Sequence, residues 1–218
     1  MRPRLGPLLA ALLLIAGVAG AAVGLLRLAD RRATDRAGGP PEDEGPPVVL
    51  EGDGIGAFRF GAPPDEVIAG LTLRWGPPDG DTGWLAAATS PYGVCPGSVV
   101  RGVEWRGFSV LFSDGATPFS GGARHFFTWH YEVADPARPA ADPGGNRPPL
   151  QTGDGVSVGM TVQALQRAYG DALELSDEPP RGPRFGVRTP DGGLFGSVTA
   201  LHPAGVVRSI GSGGGCRE

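Results

Sequence analysis

The sequence predicts an α+β fold: two tandem strand-helix-antiparallel-sheet repeats after an N-terminal hydrophobic helix. Three observations carry this expectation. The chain opens with a long uncharged apolar stretch, it contains two helix-period segments about a hundred residues apart, and each is followed by runs of alternating strand-like residues. With 38 Gly and 23 Pro in 218 residues, turns are frequent and elements short, so long helices are not expected beyond the N-terminus.

The opening segment, "MRPRLGPLLAALLLIAGVAGAAVGLLRLADRR", is uncharged from Leu5 to Leu26. About 20 apolar residues cross the hydrocarbon core, so residues 1–36 read as a membrane anchor. Ala19-Gly20-Ala21 also offers a small-residue signal-peptide cleavage site, and cutting near Ala21 would give a secreted protein. Arg27, Arg31, Arg32 and Arg36 outnumber Arg2 and Arg4, which by itself favours a cytoplasmic body. The cysteines favour the opposite, extracytoplasmic side, and that is the expected topology.

Those cysteines are Cys95 in "YGVCPG" and Cys216 in "GGGCRE", each in a Gly-rich turn. In an exported chain one pair allows one connectivity. Its bridge would close a loop of about 122 residues, worth about 5 kcal/mol on the chain-entropy model. It would also tie the C-terminus to the first half.

Residues 37–49, Pro-rich and aperiodic, read as a spacer. Residues 50–133 form the expected first repeat. In it "IGAFRFG" is a strand and "PPDEVIAGLTLRW" a helix with Val67, Leu71 and Trp75 on one face. Pro64 suits its first turn, and Asp65 and Glu66 suit its positive end rather than forming a catalytic pair. Then come "VVRGVEW", "FSVLFS" and "HFFTWHYEV". In the last strand a strict period of two puts Phe127, Trp129, Tyr131 and Val133 on one face.

A Pro-rich linker, 134–150, precedes the second repeat, 151–218. There "VSVG" reads as a strand, and "TVQALQRAY" as a helix with Thr161 as N-cap and Gly170 as its stop. "RFGVRT" and "LFGSVTAL" flank the hairpin turn "PDGG", and "VVRSIGSG" closes the order.

The residues "VSVGMTVQALQRAYG" resemble the Gly-Met-Thr helix-entry motif of the SmpA/OmlA-like (BamE-like) small envelope lipoproteins, which share a fold with the tandem-repeat β-lactamase-inhibitor proteins. Gly159, Met160, Thr161, Leu165 and Gly170 carry the resemblance. It implies no enzymatic activity, and protein contacts through the sheet surface and loops. The first unit departs from the motif, with Ala62 and Pro63 in place of Met-Thr, and no lipobox cysteine precedes either unit.

Composition removes several function classes. All 19 basic residues are Arg, so no P-loop or Schiff-base lysine exists. Beyond residue 36 the chain carries a net charge of −8, which argues against nucleic acid as a partner. Gly155-x-Ser157-x-Gly159 has the shape of a hydrolase nucleophile elbow. The strand it needs is absent, because Pro148 and Pro149 precede it and cannot donate to a central ladder.

His125 and His130, five apart on a strand, should face opposite ways and share no ion. His202 stands alone, and Asp53 and Asp154 are Gly-Asp-Gly turn residues. No cofactor and no metal site are therefore expected. What remains is aromatic: Trp84, Tyr92 and Phe119, in Gly/Pro-rich loops, are candidate partner-binding anchors. The resulting expectation is an exported, membrane-anchored, non-catalytic interaction module of the cell envelope with an unidentified protein partner. An exported serine hydrolase using Ser157, and an envelope structural protein without a specific ligand, are the rival readings.

Overall fold

A computed structural model of the protein describes residues 48–133 and 150–216. The N-terminal apolar segment, the Pro-rich spacer up to residue 47 and the linker over 134–149 lie outside the described residues, so the expected N-terminal helix is not addressed. Among the described residues no helix is long and apolar enough to cross a membrane.

Fifteen strands and two α-helices are present among these residues. In the first half they are β1 (Val49–Glu51), β2 (Gly54–Ile55), β3 (Phe58–Arg59), α1 (Pro64–Trp75), β4 (Gly80–Asp81), β5 (Leu85–Ala86), β6 (Val99–Trp105), β7 (Phe108–Ser113), β8 (Ala116–Thr117), β9 (Ser120–Gly121) and β10 (His125–Glu132). The second half contributes β11 (Gln151–Thr152), α2 (Val162–Tyr169), β12 (Leu173–Glu178), β13 (Gly182–Thr189), β14 (Gly192–Val198) and β15 (Val207–Gly213).

This architecture corrects the expected fold class. The protein is mostly β, and its strands do not divide into two α+β repeats. β12-β13-β14-β15-β10-β7-β6-β4 form one sheet, with β5 also on β6, and all of its pairs are antiparallel. The last strand of each half pairs with the other: Thr128 to Glu132 run against Gly213 to Ser209. A smaller sheet, β11-β1-β2-β3, also mixes the halves, because β1 pairs in parallel with β11 through Val49↔Gln151 and Leu50↔Thr152. The physical reason is that a short helix cannot cover a sheet alone. Each half buries its apolar surface only by joining the other's.

Both helices lie on one face of the large sheet. Val67 and Leu71 of α1 and Val162 and Leu165 of α2 are fully or almost fully buried in the core with Trp105, Phe108, Val110, Phe112, Trp129 and Ile210. Burying each such side chain contributes about 1.5–3 kcal/mol.

The helix entries follow their sequences. Pro64 opens α1 without a side-chain cap. At α2 the Thr161 hydroxyl accepts from Ala164 N at 3.2 Å, while Gly205 O and Pro203 O accept from the Val162 and Gln163 amides. The loop carrying His202 is thereby a backbone cap.

Two local expectations are also overturned. "IGAFRFG" is a tight hairpin, β2 against β3, and "VSVG" is not a strand. In β10 the register shifts between Phe126 and Thr128. This bulge sends Phe126, not Phe127, to the helix side with Trp129, Tyr131 and Val133, while Phe127 enters a separate small cluster.

Candidate interaction surface

Among the described residues no α-helix lies on the second face of the large sheet, and its register defines two adjacent rows. One runs Glu104, Ser109, His130, Gly211, Phe195, Gly186, Glu174 across β6 to β12. The other runs Glu132, Ser209, Ser197, Arg184, Ser176. Residues directly opposite share a face, so these side chains point together, away from the helices. Small residues make the middle of the face low: the Phe195 ring lies over Gly211, where a Cβ would stand 2.8 Å from its Cε2. The Ser197 and Ser209 hydroxyls meet at 2.8 Å, and Arg188 pairs with Glu174 at 2.8 Å.

His130 is half-buried in this face. Burial lowers its pKa, Arg184 acts in the same direction, and Glu132 opposes them. The β10 bulge also corrects the expectation for the histidines: His125 opposes Ser113 and His130 opposes Ser109, so both lie on one face, two rows apart rather than on opposite faces. They do not meet. His125 is buried, its Nδ1 donating to Ala123 O at 2.6 Å, since a carbonyl can only accept. Its Nε2 lies 2.7 Å from the Thr117 hydroxyl, which also accepts from the Phe119 and Ser120 amides. His125 thus fixes the β8–β9 hairpin.

One end of the open face is covered. Cys95 and Cys216 form a disulfide, and with Ala87, Val100 and Phe127 Cys95 makes a small core that Leu85, Tyr92, Leu111 and Cys216 flank. Tyr92 is half-buried here, its ring so close above Gly102 that any side chain at 102 would collide with its hydroxyl. Burial raises the Tyr92 pKa; its bond to Thr82 opposes this, and the Glu104 and Asp81 carboxylates add to it.

The three aromatic candidates therefore do not form one patch. Trp84 packs on the main core with the Arg124 guanidinium 4.3 Å above its ring. Phe119, 39% exposed, packs against Phe60 of the same core with ring centroids 4.7 Å apart and planes tilted by 42°. Tyr92 belongs to the small cluster instead. Trp84 and Phe119 are linked through one segment, 116–125, which supplies Arg124 and Phe119 alike.

Ser157, the centre of the G-x-S-x-G sequence, is 7% exposed and donates to Leu150 O at 2.6 Å. Its partner is a carbonyl rather than an imidazole, and Met160 S accepts from its amide. Asp53 sits in the β1–β2 turn with Arg59 3.3 Å from its Oδ2, and its Oδ1 is buried without a partner. Among the described residues no group of three His, Cys, Asp or Glu side chains is placed to hold a metal ion.

Ser209 and Gly211 of "RSIGSG" fall on the open face with Ser197 and Gly186, whereas Gly196 and Ser212 fall on the helix face and Arg184, Arg188 and Phe195 on the open one, so no alternation of large and small residues marked this face in the sequence.

Among the described residues these features define a disulfide-closed, mostly β protein with one large antiparallel sheet, α-helices on one face and a second face that the 90–95 region and the disulfide cover at one end. Compared with family models, with curated proteins and with solved structures, the chain matches none.

Proposed function

We propose that the chain is an exported, membrane-anchored interaction module of the cell envelope that is not an enzyme. The Cys95–Cys216 disulfide is the observation that carries the reading, since such bonds persist in oxidising compartments. The apolar segment Leu5–Leu26 supplies the anchor, and the resemblance around Gly159-Met160-Thr161 points to the same class. Two features support binding. Among the described residues most of the sheet face opposite the helices carries no α-helix, and the cation–π pair of Trp84 and Arg124 with exposed Phe119 offers rigid aromatic contact area.

The test is affinity capture of the full chain from membranes, in parallel with Trp84→Ala, Phe119→Ala and Tyr92→Ala. The reading expects a specific protein partner whose capture falls at least tenfold in one of the first two variants. Absence of any specific partner favours the structural-spacer alternative and contradicts the proposal.

A further inference from the structure

We infer that the Cys95–Cys216 disulfide is a redox latch: its reduction by a dithiol frees the 90–95 turn and residues 214–216, and uncovers an apolar patch on the open sheet face while the sheet stays folded. The inference concerns the turn itself and stands apart from whether the face has a partner.

The hydrogen bonding places the hinge. The turn is closed by bonds internal to it: Ser90 Oγ donates to Gly93 O at 3.0 Å, and the Tyr92 and Gly93 amides reach back to Ser90. On either side the chain is fixed to the sheet. Ala87 N donates to Ser98 O, and the Ser98 and Val99 amides donate to Asp114 Oδ1 at 2.7 and 3.0 Å. The Ser113 hydroxyl holds Pro96 O. Between these anchors, among the described residues, the turn meets the rest of the protein through the disulfide, through Cys95 packed with Ala87, Val100 and Phe127, through a β-bridge at Val94, and through Tyr92, whose ring lies on Gly102 and whose hydroxyl meets Thr82.

The other end of the bridge is equally local. β15 is already held by its ladder to β10, down to Thr128↔Gly213, and Gly214 N adds a bond to Phe127 O at 3.1 Å. Beyond that come Gly215 and Cys216. The disulfide therefore does not position the strand; it fastens the residues after it to the turn. Beneath the fastening lie Val100 and Phe127, both fully buried, with Ala87 and half-buried Leu111.

Chemistry favours attack at one sulfur. Cys95 is buried at 5% exposure and Cys216 is half-buried, so a reductant thiolate reaches Cys216 first. It forms a mixed disulfide there and expels Cys95 as thiolate, which takes up a proton. The reductant's second thiolate then displaces Cys216 and closes the reductant's own disulfide. Two electrons pass to the protein, and both cysteines end as thiols.

The experiment uses the full chain in mild detergent, oxidised or treated with dithiothreitol without denaturant, then trapped with iodoacetamide and followed by hydrogen exchange. Expected are two alkylated cysteines, at least tenfold faster exchange by local opening at amides in 90–95 and 214–216, and a rise in bis-ANS fluorescence. Amides of β6, β7 and β10 stay protected, and those that exchange through global unfolding speed up only as the loss of the cross-link lowers overall stability. Reduction only in denaturant, unchanged exchange at 90–95, or loss of protection throughout the sheet would each overturn the latch. Cys216→Ser should reproduce the reduced state; should that variant not fold, reduced wild-type protein still decides.

Discussion

The Thr128 hydroxyl donates to the Ser212 carbonyl at 2.7 Å, across the pair of strands that close the two halves of the chain. Ser212 in turn places its own hydroxyl 2.6 Å from Gly52 O and 2.7 Å from Gly193 O, so one proton is shared between the β1–β2 turn and β14. A buried polar chain of this kind joins parts of the sequence 160 residues apart. Replacing Thr128 by Val should remove one buried hydrogen bond at a cost of about 1 kcal/mol. Because both halves share one sheet, urea unfolding followed by fluorescence and circular dichroism should still show a single coincident transition. Two separable transitions would speak for independent repeats.

Gly102 is a close-approach glycine beneath Tyr92. Gly102→Ala must push the ring and the 90–95 turn outward, an overpacking change of about 1–3 kcal/mol. Chemical denaturation measures the loss, and the Tyr92 ring signals in NMR should move more than those of Trp129.

His130 gives a pH dependence with a defined sign. Its folded pKa is lowered by burial, with Arg184 adding to the effect. The unfolded chain therefore binds the proton first as pH falls below the ordinary histidine value of about 6.5. The stability that this group contributes is present above that value and lost as pH drops toward the folded pKa. In His130→Gln the slope of stability against pH between about 5 and 7 should flatten. An unchanged slope would assign the dependence elsewhere.

Ser157→Ala removes the hydrogen bond to Leu150 O and should cost about 1 kcal/mol in a thermal or urea melt, with the partner captured from membranes unchanged. Loss of a hydrolytic activity in this variant would revive the nucleophile reading.

Much of the strand pattern was legible. Val99–Trp105, Phe108–Ser113 and the α1 helix lie where alternation and helical spacing put them, and Thr161 caps α2 as expected. What the sequence did not show depends on contacts far apart in the chain. Nothing local tells Val49 to pair with Gln151, or β10 with β15, and that pairing turns two expected repeats into one sheet. The bulge after Phe126 hid the true faces of β10, because a period of two assumes an unbroken ladder. Leu173–Glu178, a strand that the sequence analysis did not name, does alternate, with Leu173 and Leu175 toward the core, but half of its residues are acidic and it offers no continuous apolar run. Of the aromatic candidates, loop position said nothing about Tyr92 packing on the small cluster that holds Cys95 rather than beside Phe119.

The account places both cysteines, bridged, outside the cytoplasm, and one labelling experiment addresses that directly. Intact cells expressing the full chain are treated with a membrane-impermeant maleimide, with and without prior membrane-impermeant phosphine reductant. Mass analysis then reads Cys95 and Cys216. The account predicts labelling of both in intact cells only after reduction. Labelling confined to lysed cells, or complete labelling without reductant, would contradict it.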